Sequence, residues 1–137
     1  MTEKEKKELL LQDLSARLPY RVVVDYAHNA FDVHKGHYVK KGSCILYCYL
    51  LDTFISPRQN ENGEYIKPYL IPLSSMTEEQ KVIYGDLCYD VIRSLPEDTQ
   101  TKLNELFVWL NKNYLDYRGL IPMGLANDAT GLNLYKL

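Results

Sequence analysis

The chain has 137 residues, 46% hydrophobic and 25% charged, with a formal net charge of −2; these values describe one globular domain that can bury a core without disulfide or metal support. The slightly acidic balance argues against bulk nucleic acid or an anionic membrane as the main partner. No apolar run reaches the length of a membrane span, and the mixed-charge opening MTEKEKKELLLQDL is no secretory signal, so a cytoplasmic chain with Cys44, Cys48 and Cys88 as free thiols is expected.

The first helix is predicted from about Glu3 to Arg17, opened by the capping-box pair Thr2–Glu5 and stopped by Pro19. It gathers Leu10, Leu11, Leu14 and Leu18 on one face. From Tyr20 to Leu73 the pattern becomes extended. Val22, Val24 and Tyr26 share one face of a strand, and Phe31–His34 and His37–Lys40 flank a tight turn at Lys35-Gly36. Cys44–Leu51 is apolar on both faces, which suits a strand covered on each side. Ser56–Asn62 reads as a mobile loop, Asn62-Gly63 as a turn, and Glu64–Leu70 as a run that Pro68 confines to an edge or an irregular segment.

Two further capping boxes, Thr77–Gln80 and Ser94–Glu97, open a second helix to about Leu95 and a third behind Pro96. The second carries a wide stripe (Ile83, Tyr84, Leu87, Cys88, Val91, Ile92, Leu95) that predicts packing against more than one neighbour. The short gap between them predicts a helical hairpin. The third helix repeats Leu103, Leu106, Phe107, Leu110 and Tyr114 at helical spacing and breaks at Tyr117-Arg118-Gly119, with Gly119 as a left-handed terminator. Twelve tyrosines supply apolar area with a polar tip, which suits half-buried strands and interfaces.

Candidate chemistry is sparse. His34, His37, Cys44 and Cys48 are zinc-type ligands, but a CxxxC pair on a strand separates its Cα atoms by roughly 13 Å, too far for joint chelation or a disulfide. There is no GxSxG elbow and no glycine-rich loop before a helix, so no enzyme, cofactor or metal is expected. The hairpin residues His34, Lys35, His37, Tyr38, Lys40 and Lys41 mix positive charge with an aromatic ring. They read either as a solvated turn or as a nucleic-acid contact. Trp109 falls about 120° from the stripe of the third helix. It belongs either to a second face packed on the sheet or to a patch for a partner. Beside it, Tyr117 and Arg118 read as an anchor for an acidic group, or Arg118 as a cap on the last helical carbonyls.

Three blocks, ELLLQDLSARLPYRV, IKPYLIPLSSMTEEQ and WLNKNYLDYRGLIPMGLA, together resemble in order and spacing a recurrent group of small uncharacterised proteins from gut anaerobes of the Bacteroides kind and their phages. The resemblance covers roughly a third of the chain. It implies a host-cytoplasmic, phage- or mobile-element-associated protein and brings no catalytic residues. With it, the closing block reads less as a binding site than as the clasp of the fold.

The expected architecture is a single α+β domain over 1–137: a helix at 1–18, a small antiparallel sheet or SH3-like barrel at 20–73, and a helical hairpin with its closing segment at 77–137. The function expected is a non-enzymatic protein-interaction module whose sheet region, Phe31–Leu51, selects a protein partner, Trp109, Tyr117 and Arg118 being a second candidate site. The alternative is a nucleic-acid-associated factor using residues 34–41, chiefly Lys35, His37, Tyr38, Lys40 and Lys41.

Overall fold

A computed structural model describes residues 2–46 and 65–135, and at 26–31, 37–41 and 65 the backbone alone. Cys48, the loop Ser56–Asn62, the turn Asn62-Gly63 and the far end of the strand expected at Cys44–Leu51 lie outside the described residues. Among the described residues the fold is built on three α-helices and a four-stranded mixed sheet, in the order α1 (Glu3–Arg17), β1 (Val23–Asp32), β2 (Gly36–Ile45), β3 (Tyr65–Leu70), α2 (Glu78–Arg93), α3 (Thr99–Lys112), β4 (Asn127–Asp128). The α+β class is as expected. The SH3-like barrel is not: the sheet runs β2-β1-β3-β4 without closing, and β4 joins β3 in parallel.

Two of the three capping boxes form in full. The amide of Glu5 donates to the Thr2 hydroxyl at 3.1 Å and the amide of Thr2 to the Glu5 carboxylate at 3.0 Å; Thr77 and Gln80 repeat the exchange. The third does not form. The Ser94 hydroxyl turns back to the carbonyl of Val91 and to the Thr99 hydroxyl, and α3 starts at Thr99 behind an Asp98 that makes no side-chain cap. Leu95, preceding Pro96, is restricted to extended backbone, which delays the start. Ser94 therefore finishes α2 rather than opening α3.

The end of α3 also differs from the sequence pattern. The helix stops at Lys112, and Tyr114 takes the left-handed conformation at φ +59°. The amide of Leu115 donates to the carbonyl of Leu110 at 3.1 Å, and that of Tyr114 to Asn111 at 3.1 Å. These are the two bonds of a Schellman motif, with Leu110 and Leu115 supplying its apolar contact. Gly119 is left-handed too, at φ +73°, but inside the closing segment. A tyrosine in this conformation costs about 1 kcal/mol. Its neighbours hold it there: the Tyr114 hydroxyl donates to the carbonyl of Tyr20, and its ring stacks on Tyr135 at 3.5 Å between centroids.

In the hairpin β1 ends at Asp32, and Val33, His34 and Lys35 form the turn, which starts two residues earlier than the spacing suggests. The Asp32 carboxylate accepts the amides of His34 (2.8 Å) and Lys35 (3.1 Å), and Gly36 supplies the positive φ that closes a three-residue connection. Register fixes which backbone groups face out. Val23 pairs with Ile45 and Val24 with Cys44, and one step further the amide of Leu46 donates to the carbonyl of Val22 at 2.8 Å. Bonded pairs therefore alternate as 46/22, 44/24 and 42/26. Val24 spends its backbone groups on β2, so Pro68, its partner on β3, forfeits no bond for lacking an N–H. The β1 pairing covers Tyr65–Pro68 and the β4 pairing Tyr69–Leu70, which lets a proline sit within this strand.

The main core joins Leu10 and Leu14 of α1 to Val22, Val24, Ile66 and Leu70. A second, smaller cluster of Leu106, Leu110 and Leu115 packs with Trp109 and the inner face of α2. α2 meets α3 but buries no residue completely. Of its wide stripe, Tyr84, Leu87, Cys88 and Val91 pack into the cluster of Leu106, Leu110 and Leu115, whereas Ile83, Ile92 and Leu95 are exposed.

Candidate functional site

The closing segment is tied to α1 by charge. Asp13 and Arg17, one turn apart, are both fully buried. The Arg17 Nε donates to both carboxylate oxygens of Asp13, at 3.0 and 2.9 Å, and its Nη2 to the carbonyl of Leu115 at 2.7 Å. Arg118 brings a second cation to the same carboxylate, Nη1 to Oδ1 at 2.7 Å. The Tyr117 ring lies against both guanidiniums, 5.3 Å from Arg17 and 4.6 Å from Arg118, and its hydroxyl donates to Asn111 at 2.9 Å. Asp116 accepts the amides of Leu120 and Ile121 at 2.8 and 2.9 Å, which holds the following turn. The Arg17 Nη1 is buried and meets no acceptor among the described residues.

This geometry settles where Arg118 goes. It neither caps α3 nor reaches outward; its acidic group is Asp13 of the same chain. Trp109 turns to α2, 6.3 Å from Tyr84 and nearly parallel to it, and not to the sheet. Phe107 meets Tyr117 in a tilted contact, 5.5 Å between ring centroids. Trp109, Tyr117 and Arg118 are thus not one surface: Trp109 belongs to the α2–α3 seam and the other two to the α1 junction. Asp13, Arg17 and Asp116, which the sequence pattern did not mark, carry most of that junction.

A second fastening lies at the other end of the closing segment. The Tyr135 hydroxyl accepts the amide of Val23 at 2.9 Å and donates to the carbonyl of Tyr69 at 2.6 Å, bridging β1 and β3 where their ladder ends. Burial pushes the Tyr135 phenol far above its ordinary value of 10.0. The folded state therefore holds this proton more tightly than the unfolded chain does. Its stability contribution is complete below pH about 10 and falls as pH rises beyond. Alkaline titration of the circular dichroism signal is expected to show that loss, and Tyr135→Phe to flatten it.

The basic hairpin sits at the outer edge of the sheet. His34 and Lys35 are exposed in its turn, His37 stands opposite Phe31, and Tyr38, Lys40 and Lys41 stand opposite Ala30, His28 and Ala27. Cys44 is half-buried against the main core, where burial raises its thiol. Among the described residues no group of three or more His, Cys, Asp or Glu is placed to hold a metal ion, and no helix is long and apolar enough to cross a membrane. An open cleft of about 240 Å³ lies between Ile71, Ser75 and the turn Thr130–Asn133. Its lining holds no histidine, cysteine or carboxylate. In comparisons with known proteins, no family model, no curated protein and no solved structure matches the chain.

Proposed function

We propose that the chain is a non-enzymatic protein-interaction module whose strand β2 receives an extended, acidic segment of a partner protein. One observation carries the reading: β2 is a ten-residue strand at the end of the sheet order, and no strand among the described residues pairs with its outer side. By the alternation above, the N–H groups of His37, Val39, Lys41, Ser43 and Ile45 face that side. An edge of this length is a template for an added strand. Lys35, Lys40 and Lys41 make the hairpin basic, which selects an acidic complement. The closing block, by contrast, spends its arginine inside the protein, which supports locating the function on the sheet. The resemblance of the three sequence blocks supports a phage or mobile-element setting in a host cytoplasm.

Fluorescence anisotropy with a labelled peptide of alternating glutamate and valine tests this. Binding is expected for the native chain. Replacing Lys35, Lys40 and Lys41 together by glutamate is expected to weaken it at least about tenfold, because like charges then face each other. The competing nucleic-acid reading is tested alongside with short single- and double-stranded DNA and RNA at about 50 mM salt. Tight, steeply salt-dependent nucleic-acid binding without peptide binding would replace the present reading.

A further inference from the structure

We infer that α2 is a self-association helix, and that a second copy of this chain packs antiparallel against it about a twofold axis beside Gly85. At 100° per residue, Val82, Gly85, Tyr89 and Ile92 form one stripe on the side of α2 away from α3. Val82, Tyr89 and Ile92 are 65, 56 and 81% exposed. A continuous apolar stripe on solvent marks an interaction surface.

Gly85 is the second observation. It lies inside the helix, where glycine is unfavourable relative to alanine, and a Cβ built on it meets nothing within 4 Å. Among the described residues nothing requires the missing side chain. A partner backbone crossing at that point would.

The charges say which partner. Glu78 and Glu79 stand in the first turn of α2 and Arg93 in its last. An antiparallel copy centred beside Gly85 sets Glu78 opposite the partner's Arg93, Val82 opposite the partner's Tyr89, and the two glycines at the crossing. A twofold interface must be self-complementary in this sense, and α2 meets the condition at these positions. Glu78 lies 3.0 Å from Lys81 and is exposed, and Arg93 donates to the Tyr89 hydroxyl at 2.9 Å while lying over its ring. Both charges are thus presented on the stripe.

Sedimentation equilibrium of the full chain is the test. The native chain is expected to dimerise with rising concentration, and Ile92→Asp to remain a monomer. Gly85→Gln is expected to raise the Tm by about 3 °C, since it removes a helix-interior glycine, and yet to abolish the dimer. Arg93→Glu and Glu78→Arg should each weaken association about tenfold, because the twofold repeats the change. The double exchange should restore it. A native chain still monomeric near 1 mM, the weak end of specific association, overturns the proposal and leaves the face to a different protein. A dimer unaffected by Gly85→Gln, or a double exchange no better than the single ones, also overturns it.

Discussion

Replacing Asp13 by alanine is expected to lower the free energy of unfolding by about 3–5 kcal/mol, the range found when one partner of a buried ion pair is removed. The reason is the charge left behind. Arg17 is fully buried, one of its nitrogens already lacks an acceptor among the described residues, and without Asp13 the carbonyl of Leu115 and the Tyr117 ring are the partners left to it there. Arg118, 20% exposed, would lose its partner too but could turn to water. Arg118→Ala is therefore expected to cost only about 1 kcal/mol. The pair is not stabilising merely because it is a salt bridge. Replacing both members by apolar residues of similar size, Asp13→Leu with Arg17→Met, is expected to cost much less than Asp13→Ala alone. Urea unfolding of the three variants orders them, and an Asp13→Ala as mild as Arg118→Ala would contradict the description of this junction.

The second large effect is expected at Tyr135. Tyr135→Ala should cost about 3–5 kcal/mol, as for other large aromatic truncations in packed sites. It removes the ring stacked on Tyr114 and the hydroxyl bridging Val23 and Tyr69 together. Tyr135→Phe separates the two contributions. It keeps the ring and leaves an amide and a carbonyl without their partner, an expected loss of about 1–3 kcal/mol. Since Tyr135 also holds Tyr114 in its left-handed backbone, Tyr114→Gly should recover part of the loss in the alanine background more than in the native one. Thermal unfolding of these variants measures both.

Both junctions show where the sequence could be read and where it could not. α1 and its cap follow from local chemistry, since Thr2 and Glu5 need only each other and the leucine spacing does the rest. The same holds for Thr77 and Gln80. Ser94–Glu97 has the same letters and fails, because Ser94 is equally able to bond back to Val91 and the residue before a proline resists helical backbone. The helical pattern overruns the end of α3 because the Tyr114 spacing continues its stripe; the tertiary hydroxyl bond and the Tyr135 ring make a left-handed tyrosine tolerable there. The barrel expectation had no signal for closure, nor for a fourth strand that joins β3 in parallel from outside residues 20–73; the two-residue β4 is held by neighbours rather than by its own pattern.

Arg118 illustrates the limit for sites. Its placement beside Tyr117 is legible, and an acidic group for it is one of the two readings the sequence offers. That the partner is Asp13, 105 residues away in sequence, was not. A trace of it exists nonetheless: Asp13 and Arg17 fall between Leu9 and Leu10 on the wheel of α1, beside its leucine face, where charged residues have no place unless paired. In the same way Gly85 reads as a mere weakness of α2 until the space around it is known.

The claim that β2 is the receiving edge of an interaction module is tested most directly by one proline. Ser43 directs its N–H outward, so Ser43→Pro removes an outward donor and leaves the bonds to β1 in place. Cys44→Pro, one residue on, breaks the β1 ladder instead. Binding of the labelled glutamate–valine peptide is to be measured alongside the urea midpoint for both. The expected result is a Ser43→Pro chain of nearly native stability that has lost binding at least about tenfold. A Ser43→Pro chain that binds the peptide as the native protein does would contradict strand addition at β2.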